Sequence, residues 1–520
     1  MEKEDNRILL LEKGKRKLIQ IVFGRTGIII VSLIVQILFL FAGFRYLEGF
    51  LPYFWGGSSL LSAAVVLFLF GNDDNPTIKL TWFFILAILP VFGLILYIYI
   101  KTDLGHRLMI RRYNDILAQT EDLTLCDDAC PSEELPEGLR NLATYLSSCG
   151  FPCYRNTETE YFPLGDDAFD VMLDELQKAE HFIFLEYFIV KEGYMWGRVL
   201  EILKEKVNAG VEVRVMYDGT CAVALLPYNY PKKLQKLGIA CKMFAPLRPF
   251  VSTHYNYRDH RKIMVIDGQI AFTGGVNLAD EYINKIVRFG YWKDSGVRLD
   301  GPGAASLANI FLTFWKAKYP DEDLDAGCDL PAAVPVETDC LVQPFADSPV
   351  DREVVAKNVY LEFINQARHS LRICTPYLIL DNDLLTCLRL AAKRGVDVRI
   401  ITPGIPDKKP IYSVTRSFYN QLVKHGVRIF EWTPGFCHAK MSVADDIMAT
   451  CGTINLDYRS LYHHFENGCF MADCEVVHEI RDDFIRLFTE SAEVTEKYRT
   501  GRSARRRLGQ SIMRLFAGLL

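Results

Sequence analysis

Two copies of one pattern, His-x-Lys-x4-Asp-x6-Gly-[Gly/Thr]-x-Asn, stand in constant register in this chain and constrain its fold more than any other feature. The first copy comprises His260, Lys262, Asp267 and Gly274-Gly275-Val276-Asn277. The second comprises His438, Lys440, Asp445 and Gly452-Thr453-Ile454-Asn455, each position 178 residues beyond its counterpart. A single His-x-Lys means little, because two polar residues two apart on a strand commonly face solvent together. A whole pattern repeated at fixed spacing points to duplication, and so to two halves built on one plan.

The chemistry of the repeated unit points to phosphate. On a strand, His260 and Lys262 project from one face; Ile263 to Ile266 continue as an apolar run, and Asp267-Gly268 closes it as a turn. Met441 to Ala444 before Asp445-Asp446 repeats the plan. An imidazole can attack phosphorus or carry a proton near neutral pH, and an ammonium two residues away can hold a non-bridging oxygen. Glycines ahead of Asn277 and Asn455 permit close backbone approach, and each Asn amide adds two donors. Joined, the halves offer two His, two Lys and two Asn to one anion. Lys262, Lys440, Asn277 and Asn455 would then stabilise charge that many phosphoryl-transfer enzymes leave to metal ions, so the expectation is a site with no metal and no other cofactor. Covalent transfer needs one neutral His to attack and one protonated His to release the alcohol, and the two should titrate as a coupled unit. Spacing alone does not say which is which. Asp267 and Asp445 are counted with the catalytic residues as part of the motif, although their place at strand-ending turns also suits holding each half-site together.

The rest of the catalytic region is doubled too. His181 to Val190 and Ser370 to Leu380 read as strands, followed by amphipathic helices at Trp196 to Asn208 and Asn382 to Lys393. Gly210-Val211-Glu212-Val213-Arg214-Val215 and Gly395-Val396-Asp397-Val398-Arg399-Ile400 are near copies, each a helix-ending glycine plus a buried strand. Strand, helix, strand, helix, strand, twice over, predicts α/β halves with mostly parallel sheets. The expected organisation is a membrane anchor over 1–120, an acidic linker over 121–138, the first half over 139–320, a linker over 321–338, the second half over 339–495 and a basic amphipathic tail over 496–520.

Composition bears on compartment and partners. Half of the residues are hydrophobic and net charge is only −5, so a nucleic-acid binder relying on a strongly basic surface gets no support, and no nucleic-acid partner is expected. Fourteen cysteines are scattered, several in apolar runs (Cys374, Cys451, Cys469), and read as reduced cytosolic thiols. Cys126, Cys130, Cys149 and Cys153 are clustered, but their spacing is looser than a zinc site favours. Thr26 to Phe44 and Leu80 to Ile100 are predicted membrane spans, the second about 31 Å as a helix. Leu51 to Phe70, between them, reads as a re-entrant or interfacial piece, with a third crossing as the alternative. Lys13, Lys15, Arg16, Lys17 and Arg25 precede the first span, and Lys101, Arg107, Arg111 and Arg112 follow the second, which puts both flanks in the cytoplasm. At the end, Arg502, Arg505, Arg506, Arg507 and Arg514 alternate with Leu508, Ile512, Met513, Leu515 and Phe516, a pattern suited to a basic helix on anionic lipid.

The doubled motif resembles the phospholipase D superfamily, whose members pair two such half-sites in one active centre. Within it the chain is similar to the bacterial cardiolipin synthases, also at Asn75-Pro76, Lys79-Leu80-Thr81-Trp82, Pro90-Val91-Phe92-Gly93 and the closing Arg514-Leu515-Phe516. The resemblance implies a duplicated α-β-α domain pair with one shared site behind N-terminal transmembrane helices. It implies a multi-pass enzyme of the cell membrane, its catalytic region cytoplasmic, that acts on phosphatidylglycerol amid anionic lipid. It assigns His260 as nucleophile and His438 as acid and then base. Asp294, in Trp292-Lys293-Asp294, would orient the first half's imidazole and Glu466, in Phe465-Glu466-Asn467, the second's, with Glu281 competing in the first half. Gly275 beside the second copy's Thr453 is a departure at a position where either small residue leaves room for phosphate. The activity the resemblance implies is transfer of a phosphatidyl group from one phosphatidylglycerol to another through a phosphatidyl-histidine intermediate, giving cardiolipin and glycerol; the alternatives are a membrane phospholipase D that passes that intermediate to water and an idle membrane scaffold.

Overall fold

The computed structural model describes residues 135–246, 257–318, 333–351 and 353–499, with shorter stretches among 38–130 and 509–514. These fall into two compact units. One, from Gly14–Arg111, Leu247–Asn256 and Ser503–Leu520, contains the helix Pro76–Ile88. Asn75 starts it by accepting from the Thr77 amide at 2.9 Å, with Pro76 at the first helical position where its missing N–H costs nothing. Trp82 and Leu86 pack with Leu69 and Tyr97. At 13 residues it is about 20 Å long, and no helix among the described residues is long and apolar enough to cross a membrane. Most of the expected span Thr26 to Phe44 and part of Leu80 to Ile100 lie outside the described residues.

The other unit, Met1–Lys13, Arg112–Pro246 and Tyr257–Arg502, holds both copies of the motif. Its first half supplies strands β1 (Glu158–Phe162), β2 (Phe182–Tyr187), β3 (Glu212–Asp218), β4 (Ala240–Phe244), β5 (Arg258–Asp259), β6 (Lys262–Ile266), β7 (Ile270–Gly274), β8 (Tyr291–Lys293) and β9 (Gly296–Asp300). The second supplies β10 (Leu341–Asp347), β11 (Ser370–Cys374), β12 (Asp397–Pro403), β13 (Arg428–Trp432), β14 (Gly435–Cys437), β15 (Met441–Ala444), β16 (Met448–Gly452), β17 (His464–Ala472) and β18 (Ser491–Glu493). The first sheet runs β1-β9-β7-β6-β2-β3-β4 and the second β10-β17-β16-β15-β11-β12-β13-β18, so the repeat in sequence is a repeat in topology. The expectation of mostly parallel sheets needs correcting: along these two strand orders only β2-β3-β4 and β11-β12-β13 run parallel. The turns at Asp267-Gly268 and Asp445-Asp446 are too short for a crossover, and therefore make antiparallel hairpins.

Helices complete each layer. Tyr194–Asn208 buries Trp196, Val199, Leu200 and Leu203, three and four apart, each contributing about 1.5–3 kcal/mol; the Trp196 indole donates to the Tyr230 hydroxyl at 2.7 Å. Gly210 and Gly395, at φ +95° and +98°, end their helices in the left-handed region that a Cβ would disfavour. The chain then turns into β3 and β12.

Two short strands exchange sides. β5, from the first half, pairs with the start of β17, and β14, from the second, pairs with β8. Between β5 and β6 the buried Arg261 guanidinium lies 4.9 Å from the Phe314 ring and 5.5 Å from Phe465. It donates to the carbonyl oxygens of Glu466 and Asp347, and so ties the halves together behind the motif. The expectation of uniformly reduced thiols is also corrected: Cys340 and Cys474 form a disulfide. The antiparallel pairing of β10 with β17, Leu341 opposite Ala472, brings together two cysteines that lie 134 residues apart in sequence.

Candidate active site

Because Tyr187 at the end of β2 faces Lys262, the first motif sits at the carboxyl edge of the parallel strands, where α/β folds place ligands. Cys374 facing Met441 puts the second at the equivalent edge. The strand exchange then sets each imidazole against the opposite half. The His260 amide donates to the Phe465 carbonyl at 2.9 Å and the His438 amide to that of Lys293 at 2.7 Å. Glu466 Oε2 lies 2.9 Å from His260 Nδ1, and Asp294 Oδ2 lies 2.6 Å from His438 Nδ1. The expected pairing within each half is therefore corrected: both carboxylates act across the pseudo-symmetry. Glu281 is no competitor, since it is bound to Lys191 and Arg288.

An ionised carboxylate only accepts, so Nδ1 of each imidazole carries the proton and Nε2 is left to react. Burial holds both rings well below the ordinary histidine value, His260 at about 3 and His438 at about 4. At His438 the Lys440 ammonium adds to this, standing 2.7 Å from Nδ1. Burial would raise Asp294, yet Lys440 and His438 outweigh it and hold the carboxyl at about 2. Glu466 is likewise held well below the carboxylate range, His260 overcoming burial. Burial pushes Lys262 down to about 7 and lowers Lys440 as well. Lys262 and Lys440 donate to the carbonyls of His260 and His438. The charge of Lys440 acts on Lys262 and that of Lys262 on His438, which marks one shared cationic pocket with neutral imidazoles and ionised carboxylates.

The remaining motif residues divide. Asn455 is buried, its Oδ1 without a hydrogen-bond partner among the described residues, whereas Asn277 accepts from the Ile189 amide at 2.9 Å and donates to the Tyr282 hydroxyl at 2.8 Å. Asp267 and Asp445 are removed from the catalytic set as a correction. They stand at the far ends of β6 and β15, about 16 Å along the strand from the first lysine's position, each at φ near +50°. Asp267 accepts from the amides of Glu180, His181 and Phe182, and Asp445 from those of Arg368, His369 and Ser370, so each clamps its hairpin to the neighbouring strand. The difference between Gly275 and Thr453 answers to the carboxylates rather than to phosphate. A Cβ on Gly275 would fall 1.8 Å from Asp294 Oδ1, while the Thr453 hydroxyl donates to Glu466.

Two rings in the site escaped the sequence reading. Trp292 and His464 each precede an orienting carboxylate by two residues, Trp292 with its ring 5.4 Å from His438 and His464 with its ring 5.4 Å from His260. Strand alternation was the available signal. Among the described residues, His260, His464 and Glu466 form the one group whose donor atoms, within 4.8 Å of one another, could hold a metal; an ion there would compete with the His260–Glu466 hydrogen bond. Cys149 and Cys153 are free thiols, and Cys126 lies outside the described residues.

Comparison with known proteins places this geometry. The family described as "Cardiolipin synthase, PLD-like domain" matches residues 172–288 and 360–488. The cardiolipin synthase of Geobacillus kaustophilus is 31% identical over 482 residues, 90% of this chain and 95% of its own. Cardiolipin synthase 2 of Bacillus anthracis is 34% identical over 464 residues, 87% and 88%. An uncharacterised protein of Streptococcus mutans is 45% identical over 458 residues, 88% and 99%. The crystal structure of the Haemophilus influenzae phosphatidylserine synthase superposes with a TM-score of 0.55 at 15% identity, covering 74% of this chain and all of that one, a likeness of fold.

Proposed function

We propose, for a chain that belongs to the cardiolipin synthase family of phospholipase D-like phosphatidyltransferases, that His260 is the nucleophile and His438 the proton carrier in making cardiolipin from two phosphatidylglycerols. His260 Nε2 attacks phosphorus of the first lipid while protonated His438 gives its proton to the departing glycerol oxygen. The resulting phosphatidyl-imidazolium keeps its Nδ1 proton against Glu466, whose negative charge offsets the new positive one. His438, now neutral, takes the proton from a hydroxyl of the second phosphatidylglycerol as that oxygen displaces His260, and cardiolipin leaves. Burial disfavours protonated His438 in the free protein; an entering phosphodiester anion shifts the balance back towards the imidazolium the first step needs. Lys262, Lys440 and Asn455 hold the non-bridging oxygens.

The observation that carries this reading is the crossed pairing, Glu466 on His260 and Asp294 on His438, which gives two oriented imidazoles to one cationic pocket. The site's border also supports a lipid substrate. Ile286, Val287, Tyr291 and Ile405 are exposed apolar side chains beside the exposed Lys285, Arg288, Lys408 and Lys409, and Phe289, in the same loop, packs on the Trp292 and Phe436 rings that flank His438. The reading includes anchoring in the cell membrane by Thr26 to Phe44 and Leu80 to Ile100 with the catalytic halves, 139–320 and 339–495, on the cytoplasmic side. Labelled phosphatidylglycerol given to the purified protein should yield cardiolipin and free glycerol, and neither from His260→Ala or His438→Ala. Phosphatidic acid as the main product would replace the synthase reading with a hydrolase.

A further inference from the structure

The two half-sites are related by pseudo-symmetry down to the ring beside each imidazole, and there they differ in chemistry. Next to His438 stands an indole, Trp292, whose Nε1 lies 3.4 Å from Asp294 Oδ2. Next to His260, at the same offset from its carboxylate, stands the imidazole of His464. His464 is only 8% exposed, yet neither ring nitrogen has a hydrogen-bond partner among the described residues. Nδ1 stands 3.6 Å from Glu466 Oε1, an ion-pair contact that helps hold the Glu466 carboxyl down but is longer than a hydrogen bond, and Oε1 has no hydrogen-bond partner among the described residues. Buried polar groups left unmatched are unfavourable unless something fills the gap. This one lies on the same face of β17 as Glu466, beside the attacking imidazole.

We propose that His464 is a further substrate-binding residue, donating a ring N–H to a non-bridging oxygen of the phosphodiester on the nucleophile's side of the pocket. The inference rests on the phosphatidyl-transfer reading above. In an in-line displacement the leaving alcohol departs opposite the attacking atom, towards His438, and the non-bridging oxygens lie to the side of the attack. A group 5.4 Å from the His260 ring therefore meets those oxygens rather than the alcohol. The first half has use for such a donor, because the Asn277 amide is turned to the protein, its oxygen accepting from Ile189 and one of its two N–H groups donating to Tyr282. His464, delivered by the other half's strand, stands where that donor is missing.

The test uses the full-length protein in detergent and inorganic phosphate as probe, measured by calorimetry without lipid and as inhibition of phosphatidyl transfer. His464→Phe keeps a ring and removes the polar atoms; it should weaken phosphate binding and lower kcat/KM by about 10-fold to 100-fold, the range of one charge-assisted hydrogen bond. His464→Asn and His464→Asp are equal in size and differ in whether they donate or repel; Asn should retain phosphate binding and Asp should abolish it. The inference is overturned if the Phe variant stays within about twofold of the native protein, or if Asn and Asp bind phosphate alike. Phosphate affinity is read without turnover, so a protein that made phosphatidic acid would refute the synthase reading and leave this result standing.

Discussion

Glu466 belongs to the second half of the chain, yet the imidazole it holds, at 2.9 Å, is that of His260, 206 residues earlier. Asp294 returns the arrangement to His438 across 144 residues. Neither half can therefore assemble a complete imidazole–carboxylate pair, and duplication here has yielded an obligate partnership between halves.

The crossing makes a prediction that separates the two roles. A phosphodiester with a p-nitrophenolate leaving group needs no general acid, so release of p-nitrophenol from it should depend on His260 and Glu466 but little on His438 and Asp294. Glu466→Gln should slow that first release by about 10²–10⁴, and Asp294→Asn by less than about tenfold. With phosphatidylglycerol both variants should fall by about 10²–10⁴. Pre-steady-state release of p-nitrophenol decides: a burst lost in Asp294→Asn and kept in Glu466→Gln would reverse the assignment.

Asp267 and Asp445 should matter to stability and not to chemistry. Each carboxylate accepts from three consecutive backbone amides at 2.7–2.8 Å, so Asp267→Asn and Asp445→Asn should each cost about 1.5–3 kcal/mol. Denaturant melts would show the loss. Turnover per folded molecule should stay near native, and a fall of 10² or more with unchanged melting would return these residues to the catalytic centre.

The motif's reach and its limits in sequence have physical causes. The constant register made the two His-x-Lys pairs and their Asn residues legible, because duplication preserves spacing. The topology was legible as repeating units, but parallel and antiparallel neighbours were not, since β6 and β7 owe their direction to a short turn. Carboxylate pairing was hidden for a sharper reason. β5 and β14 are two and three residues long, too short for any periodic signal, and these are the strands that carry each imidazole to the opposite half. His464 could have been found by laying Trp292-Lys293-Asp294 over His464-Phe465-Glu466, which align at their acids. Cys340 and Cys474 could not, because their meeting depends on the register of β10 with β17.

Lys262 should govern the alkaline side of the pH profile. Burial lowers its ammonium to about 7, so its charge is present below that pH and lost above it, and phosphate affinity should fall in the same direction. His260 and His438, held at about 3 and 4, stay neutral in the free protein through the neutral range; because the first step needs protonated His438, its titration already slopes kcat/KM downward above about 4 with no change of slope near 7. kcat/KM should therefore decline more steeply as pH rises past about 7. Lys262→Arg, whose guanidinium keeps its charge, should move that decline upward by at least about one pH unit whatever its effect on the maximum. An unchanged alkaline limb in the Arg variant would remove Lys262 from this role.

Gly275 offers the most specific test of how Asp294 is held. The space a side chain would occupy is taken by the Asp294 carboxylate, 1.8 Å from an ideal Cβ to Oδ1 and 2.7 Å to Cγ, contacts that the carboxylate can relieve only by leaving His438. Gly275→Ala should thus imitate Asp294→Asn, lowering turnover of phosphatidylglycerol by about 10²–10⁴ although a methyl group touches no substrate. At the matching position Thr453→Ala removes only a hydroxyl that donates to Glu466, with a loss of about tenfold at most. The two changes on one carboxylate share a mechanism, so Gly275→Ala combined with Asp294→Asn should be no slower than Asp294→Asn alone. Multiplicative losses in the double variant would mean that Gly275 makes room for something other than Asp294, and the phosphate-clearance role expected of this position would then be the better account.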